Sequence, residues 1–347
     1  LHPRVRRQRQ MCIRDRNNLV LNCDAHDNYD GYSEGDSGNV DGFGGHANKE
    51  TSTGNIFRGC RAWNNGDDGF DLINCYASYI IEYCWSFRNG YKPHSIESSG
   101  GNGAGFKSGG YGMGDIKKVP NPIPQHTVRY CLAYYNRQQG FYSNHHLGGL
   151  IFENNTAYKN PSNYNMLNRK SSNEAVDVPG YGHIIKNNLS LSPRNSGGFP
   201  QHLINVDNTL SEIKNNSFAP NDLNLSESDF ESLNEQELMG SRKSDGSLPD
   251  INFLRLTNHA NFRFSGMGCF INEEAVDYSW IQEPAIVLEN GVARIVGEDS
   301  KSFNKFYVNG EEVSIENGIV DLTSMSGELN LKAISENGAV TTLIINK

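Results

Sequence analysis

The chain has 347 residues, of which 31 are basic, 40 are acidic and only 36% are hydrophobic. Its apolar runs fall short of the ~18 residues that a membrane span requires. The net charge of −9 disfavours encounter with any polyanion unless cations intervene, and we expect no nucleic-acid partner. With 43 asparagines and 36 glycines, the composition favours a narrow core enclosed by many turns.

Residues 1–16 (LHPRVRRQRQMCIRDR) differ from the rest, with six arginines against one aspartate. Without them the net charge is −9 minus +5, or −14. We predict a non-native leader here, with a basic nucleic-acid-binding arm as the alternative. No signal peptide precedes the next segment, so we also expect the chain to be truncated at its N-terminus.

One short phrase recurs seven times: an apolar pair, one or two polar residues, Cys or Asn, then a small residue two places on. The recurring Cys or Asn positions are Cys23, Cys60, Cys84, Cys131, Asn155, Asn188 and Asn216. Their steps of 37, 24, 47, 24, 33 and 28 residues match coils of a β-solenoid that carry inserted loops. We predict that these side chains form one buried column, because identical positions of successive coils stack at the ~4.8 Å strand spacing.

The pattern divides the chain into a β-helix over residues 17–275 and a small domain over residues 284–347. Loop-rich insertions interrupt the coils at Lys92–Gln125 and Asn160–Gly182. An acidic, helix-compatible stretch follows at residues 221–239, and then SLPDINFLRL, which we expect to pack along the solenoid or close its end. Four Asn-Gly pairs predict hairpins in a sandwich-like antiparallel β-domain at the C-terminus.

A second column contains a Gly-Phe pair in four successive coils: Gly42-Phe43, Gly69-Phe70, Gly105-Phe106 and Gly140-Phe141. In this register Asp41 lies over Asp68, and Asp71 lies beside Lys107, with Asp67 completing the cluster. Four crowded carboxylates repel one another unless a cation neutralises them. An all-oxygen aspartate set favours calcium.

The acidic motif alone also fits a solvated turn or a structural calcium site. Lys107 is what favours catalysis, because a cation beside its ammonium lowers the pKa and so allows it to act as a base. The carboxylate of Asp71 raises that pKa instead, and the balance depends on how fully calcium engages the charge.

Three phrases, NVDGF, GCRAWNNGDDGFDLI and GNGAGFKSGG, together with SLPDINFLRL, resemble polysaccharide lyase family 9, the pectate lyases built on a right-handed parallel β-helix. The resemblance covers residues 17–256 and implies that the chain is all-β. It implies that Asp41, Asp67, Asp68 and Asp71 bind the catalytic calcium and that Lys107 is the base. The family's N-terminal coils and cap are not found in this sequence, and the C-terminal domain lies outside the resemblance.

The implied reaction is β-elimination in galacturonate-containing pectin, which gives unsaturated uronides. The family also includes rhamnogalacturonan lyases, so either acidic plant cell-wall polysaccharide could be the partner. We expect Arg137 and His145, on the coil after Lys107, to contact uronate carboxylates. We further expect a monomeric bacterial protein that is secreted, periplasmic or at the cell surface.

Two other classes of function fit the same solenoid. A glycoside hydrolase would use Asp67 and Asp68 as its acid and base and would need neither calcium nor lysine. A non-catalytic calcium-binding solenoid would tolerate the loss of Lys107.

Overall fold

The structure is a computed structural model that describes residues 16–32, 37–112, 119–194, 201–218, 223–270, 285–289, 292–296, 300–316, 318–336 and 338–346. Residues 1–15 of the predicted leader lie outside this set. The chain divides into two compact units: the first ends at Ile271, and the second begins at Asn272.

Three parallel sheets run along the first unit. Each of the first six coils contributes one short strand to each sheet, and a seventh coil adds a strand to the first sheet only. The first sheet contains Leu19–Leu21, Asn55–Arg58, Tyr79–Glu82, Thr127–Arg129, Ile151–Glu153, Ile184–Lys186 and Glu212–Lys214. The second contains Asp24–His26, Arg61–Trp63, Trp85–Phe87, Leu132–Tyr134, Thr156–Tyr158 and Leu189–Leu191. The third contains Phe43–Gly44, Phe70–Asp71, Phe106–Lys107, Phe141–Tyr142, Tyr164–Asn165 and Leu203–Ile204. This arrangement confirms the predicted parallel β-helix.

The predicted Cys and Asn column lies at the bend between the first and second sheets. Six of its seven members are buried, and the asparagine amides bond from coil to coil. Asn188 accepts bonds at 2.9 and 3.1 Å from the backbone and side-chain nitrogens of Asn155, and donates to Asn216 at 2.9 Å. The prediction is wrong for Cys23, which is exposed because it adjoins edge strands of both sheets.

The residue before the column has a positive φ in successive coils, which explains the paired asparagines of the repeat. Asn154, Asn187 and Asn215 have φ angles of 54°, 57° and 52°. Asparagine tolerates this left-handed conformation better than most residues. The first asparagine of each pair therefore makes the turn, and the second joins the buried column.

A second asparagine ladder, missed by the sequence interpretation, lies between the second and third sheets. Side-chain amides bond in series at 2.8 to 3.1 Å. The members are Asn28, Asn65, Asn89, Asn136, Asn160 and Asn163. The first five stand five residues after the Cys or Asn position of their coil, a constant offset that the sequence already contains. The ladder fixes the bend that leads into the Gly-Phe strands.

Residues 223–270 cover the outer face of the second sheet and bury its aromatic side chains. Phe253 and Leu256 pack in one cluster with Trp63 and Tyr134, so the predicted packing of SLPDINFLRL along the solenoid is confirmed. The helical segments here are Glu227–Asp229 and Glu235–Met239, both 3-10, and the α-helix Asn258–Arg263. Within residues 223–239, the described part of the acidic stretch, the helical segments are these two short 3-10 turns, since the apolar residues follow the sheet in an extended path. In the described part of the chain no helix has the length and apolarity to span a bilayer.

The C-terminal unit contains two antiparallel sheets. One consists of Ala285–Glu289, Val292–Val296 and Ile319–Asp321, and the other of Glu311–Val313, Phe303–Val308, Glu328–Ser335 and Val340–Asn346. A 3-10 turn covers Ser300–Ser302. The hairpin predicted at Asn309-Gly310 is present, with φ angles of 51° and 88°, as a tight two-residue turn requires. Asn290-Gly291, Asn317 and Asn337, at the other predicted turns, lie outside the described residues.

Asn188→Leu tests the contribution of the buried column. The substitution leaves the backbone amide of Asn155 and the carbonyl of Phe152 without their amide partner, so we expect unfolding to become easier by about 2–4 kcal/mol. Urea denaturation measures the change. Asn173→Ala, at an exposed position, serves as the control, and an equal effect of both variants would contradict the assignment.

Candidate active site

The Gly-Phe column builds the sheet that carries the site. Phe43, Phe70, Phe106 and Phe141 stack inward with ring centroids 5.0 Å apart, in the predicted register. The glycine before each ring is required by close packing: a Cβ on Gly69 would lie 2.7 Å from the carbonyl oxygen of Gly105 on the next coil. The motif therefore permits coils to approach closely while a phenylalanine fills the core.

The residue after the inward-facing Phe, Tyr or Leu of each coil points outward, because successive strand residues face opposite sides. These positions, here called the outward row, are Gly44, Asp71, Lys107, Tyr142, Asn165 and Ile204. Asp71 and Lys107 are Cα partners on neighbouring coils. The carboxylate of Asp71 and the ammonium of Lys107 therefore lie side by side on neighbouring strands of one sheet.

Lys107 lies between two carboxylates at the surface of the third sheet. Its Nζ is 3.0 Å from Oδ2 of Asp68 and 3.0 Å from Oδ2 of Asp71. Asp41 joins them from the preceding coil, where its Oδ1 accepts a 3.1 Å bond from the backbone nitrogen of Asp68. Carboxylate oxygens of Asp41, Asp68 and Asp71 lie within 4.8 Å of one another, and these three residues are called the acidic cluster below.

Asp67 is adjacent, but its carboxylate is engaged by the backbone. Oδ2 accepts a 2.6 Å bond from the amide of Asn39, and Oδ1 accepts bonds of 2.5 and 3.4 Å from the amides of Asn102 and Gly103. The structure therefore does not bring this side chain into the acidic cluster. Its role as a fourth calcium ligand stays a prediction.

Burial and mutual repulsion shift the protonation of the cluster. Burial raises the pKa of Asp41 to about 7, helped by the charges of Asp71 and Asp67. Burial also raises the pKa of Asp68 well above its usual range, although Lys107 opposes this. For Lys107, burial alone would lower the pKa, but the carboxylates of Asp68 and Asp71 outweigh it and raise the pKa. Without a further cation, the lysine remains an ammonium.

The acidic cluster fits a hard cation. Oδ2 of Asp68 is buried and, among the described residues, accepts no well-directed hydrogen bond, although Nζ of Lys107 is near. Three converging carboxylate oxygens in a partly buried setting are the donor type that calcium prefers. A bound cation would also compensate the repulsion that raises the carboxylate pKa values.

Calcium binding is expected to depend on pH in a direction set by these shifts. A carboxylate whose folded pKa is raised stabilises the metal-free fold below its unfolded pKa of ~4, and that stabilisation is lost as pH rises through about 7 for Asp41. Protons compete with calcium over the same range. We expect the calcium-induced increase in Tm to grow between about pH 5.5 and about pH 8.

Asp41→Asn provides the control for that measurement, because burial lowers the pKa of His126, His146 and His183 and so makes Tm depend on pH by itself. The pH dependence of the calcium-induced Tm shift should be smaller in the variant than in the wild type. A shift of the same size at both pH values in the wild-type protein would contradict the role of Asp41.

Arg137 and His145, the two predicted substrate contacts, have other partners in the structure. Nη1 of Arg137 donates at 3.1 Å to the carbonyl oxygens of Gly101 and Asn102, which hold the loop that binds Asp67. His145 bonds through Nδ1 to Oδ1 of Asp177 at 2.7 Å. Contact of Arg137 and His145 with substrate stays a prediction.

The sequence interpretation missed Tyr142 and Asp177. Tyr142 occupies the outward row after Lys107, and the Gly-Phe-Tyr phrase was a usable signal for it. Asp177 reaches the site from a hairpin formed by Asn168–Arg169 and Asp177–Val178. No periodic signal marks that hairpin, because it lies within an insertion.

The fold and the site together define the class of protein: a parallel β-helix that carries an acidic cluster and a lysine on the outer surface of one sheet. The family model described as "Pel9A-like, right handed beta helix region" matches residues 5–214, and the chain belongs to this family, polysaccharide lyase family 9. A second model, "Rhamnogalacturonan lyase-like, C-terminal", matches residues 207–342.

Individual relatives agree with the family. Pectate lyase L of Dickeya chrysanthemi is 35% identical over 262 residues, which are 76% of this chain and 53% of that protein. A solved structure titled rhamnogalacturonan lyase is 56% identical, covers 73% of this chain and 61% of its own, and has a TM-score of 0.68. The structure of pectate lyase Pel9A is 34% identical, with coverages of 70% and 52% and a TM-score of 0.53. The chain thus spans about half the length of the curated relative.

Proposed function

We propose that this chain is a calcium-dependent polysaccharide lyase that cleaves galacturonate-containing pectin by β-elimination. The observation that carries the proposal is the position of Lys107, 3.0 Å from both Asp68 and Asp71 on the outward row. Its ammonium is paired by the same carboxylates that would hold calcium. The two functions of base and metal site therefore share one surface.

The proposed reaction begins with the weakly acidic C5 proton of a uronate. Calcium bound by Asp41, Asp68 and Asp71 would withdraw electron density from the C6 carboxylate and so acidify that proton. Neutral Lys107 accepts the proton at Nζ, and the electron pair of the C5–H bond forms a C4–C5 double bond. The C4–O4 bond breaks, and water supplies the proton that the leaving oxygen takes.

The comparisons support two alternative substrates, polygalacturonate and rhamnogalacturonan. Curated relatives are named pectate lyases, which supports the predicted cleavage of polygalacturonate. The 56% identical structure and the C-terminal family model carry the name rhamnogalacturonan lyase, which supports the alternative. Both polymers contain galacturonate, so the proposed chemistry at Lys107 serves either one.

A glycoside hydrolase is less well supported. It would need Asp67 or Asp68 as a proton donor and the other as a base, but both oxygens of Asp67 accept backbone hydrogen bonds. The mass of the released oligosaccharides separates the classes: elimination products are one water lighter than hydrolysis products. Release of products with the hydrolytic mass would refute the lyase proposal.

A location outside the cytoplasm follows from the proposed substrate, a cell-wall polymer too large to enter a cell. We propose that the protein is secreted, periplasmic or at the cell surface. The six described cysteines are free thiols and five of them are buried, which suits a fold that does not depend on disulfides. Cell fractionation followed by immunodetection tests the location. The monomeric state stays a prediction.

A further inference from the structure

Beyond Lys107, the outward row continues with uncharged residues. Tyr142, Asn165 and Ile204 follow it on successive coils, and Tyr142 is the direct Cα partner of Lys107. The ~4.8 Å spacing of strands is comparable with the length of one pyranose ring. A polysaccharide lying along the row would therefore present its next sugar to Tyr142.

The hydroxyl of Tyr142 belongs to a fixed hydrogen-bond network. Tyr142 Oη lies 2.9 Å from Nε2 of His145, and Nδ1 of His145 lies 2.7 Å from Oδ1 of Asp177. The same oxygen of Asp177 is 3.0 Å from Nη1 of Arg169. The hairpin that carries Asp177 and Arg169 thus orients the imidazole beside the tyrosine.

The charges around this network disfavour a second uronate. The carboxylate of Asp177 is 44% exposed, and its charge balances the one permanent positive charge of this network, that of Arg169. A sugar carboxylate beside Tyr142 would be repelled by the exposed carboxylate of Asp177, whereas sugar hydroxyl groups would find hydrogen-bond partners in the phenol and the imidazole.

We propose that Tyr142 and His145, oriented by Asp177, form a subsite for a neutral sugar next to the uronate held at the acidic cluster. This inference rests on the proposed lyase function and names its substrate class: a polymer in which neutral and acidic sugars alternate. The backbone of rhamnogalacturonan, with alternating rhamnose and galacturonate, has this chemistry. Polygalacturonate, with a carboxylate on every sugar, does not.

The test compares kcat/KM on debranched rhamnogalacturonan with kcat/KM on polygalacturonate, with calcium present. Wild type should prefer rhamnogalacturonan. Tyr142→Phe should lose about 10-fold on rhamnogalacturonan and less than about 3-fold on polygalacturonate, because only a hydroxyl contact is removed. Tyr142→Lys should change the preference toward polygalacturonate by adding a cation. Lys170→Ala, an exposed lysine on the same hairpin, is the matched control and should match wild type.

Asp177→Asn separates positioning from direct contact. If Asp177 acts through His145, its loss should raise KM for rhamnogalacturonan while kcat stays within about 3-fold. A wild-type preference for polygalacturonate, or equal losses on both polymers in Tyr142→Phe, would overturn the subsite and leave the lyase proposal standing. Cleavage of neither polymer by the wild type would overturn the lyase proposal and the subsite with it.

Discussion

Lys107→Ala is expected to lower the rate of elimination by at least ~10²-fold, the usual loss on removal of a general base. The lysine is only 7% exposed and both of its carboxylate partners belong to the acidic cluster, so its removal leaves the proposed calcium ligands in place. Calcium binding and the KM for polymer should therefore change much less than kcat. Steady-state kinetics together with calcium titration measure the two effects separately.

Lys107→Arg is the sharper companion variant, because a guanidinium preserves charge and reach but keeps its proton at any working pH. We expect it to be nearly as inactive as the alanine variant. Substantial activity in Lys107→Arg would mean that the lysine only binds a substrate carboxylate. The base would then have to be sought elsewhere, with His145 as the next candidate. Lys170→Ala controls for the loss of a lysine as such.

Asp68→Ala is expected to abolish calcium-dependent activity. Asp68 is fully buried, its Oδ1 accepts a 2.6 Å bond from the amide of Ala104, and its Oδ2 faces Lys107. Loss of one of three clustered carboxylates removes both charge and an oxygen ligand, so calcium affinity should fall steeply. Isothermal titration with calcium and activity at several calcium concentrations measure the result.

Asp68→Asn distinguishes metal binding from folding, since the amide keeps an oxygen for the backbone of Ala104. It should retain the wild-type Tm in chelator more closely than Asp68→Ala while binding calcium weakly. Asp250→Asn, an exposed carboxylate elsewhere on the unit, serves as the control. Unchanged activity and an unchanged calcium titration in Asp68→Ala would refute the proposed metal site.

Most of the solenoid can be predicted from the sequence, because stacked coils require similar side chains at equivalent buried positions. Cys60, Asn155 and Asn188 recur at one position because that position is buried and amides can bond along it. The Gly-Phe register follows in the same way from close contact between coils. Cys23 departs from the pattern because burial depends on neighbours on both sides, which a repeat alone does not specify.

The candidate site is less predictable, because its details depend on loops that do not repeat. Asp67 and Asp68 are consecutive in sequence, yet one carboxylate bonds to the loop at Asn102 while the other faces Lys107. Which partner each carboxylate finds depends on the path of the inserted loop, which the repeat does not specify. The approach of Asp177 to His145 likewise depends on a hairpin whose sequence has no periodic counterpart.

The most direct test of calcium-dependent elimination is the ultraviolet absorbance of unsaturated uronides during incubation of the wild-type chain with polygalacturonate and with rhamnogalacturonan. With calcium, absorbance should rise on at least one polymer; excess chelator should stop the rise, and added calcium should restore it. Polymer cleavage without any rise in absorbance, or a rise that chelator leaves unchanged, would contradict the proposed mechanism at Lys107 and the acidic cluster.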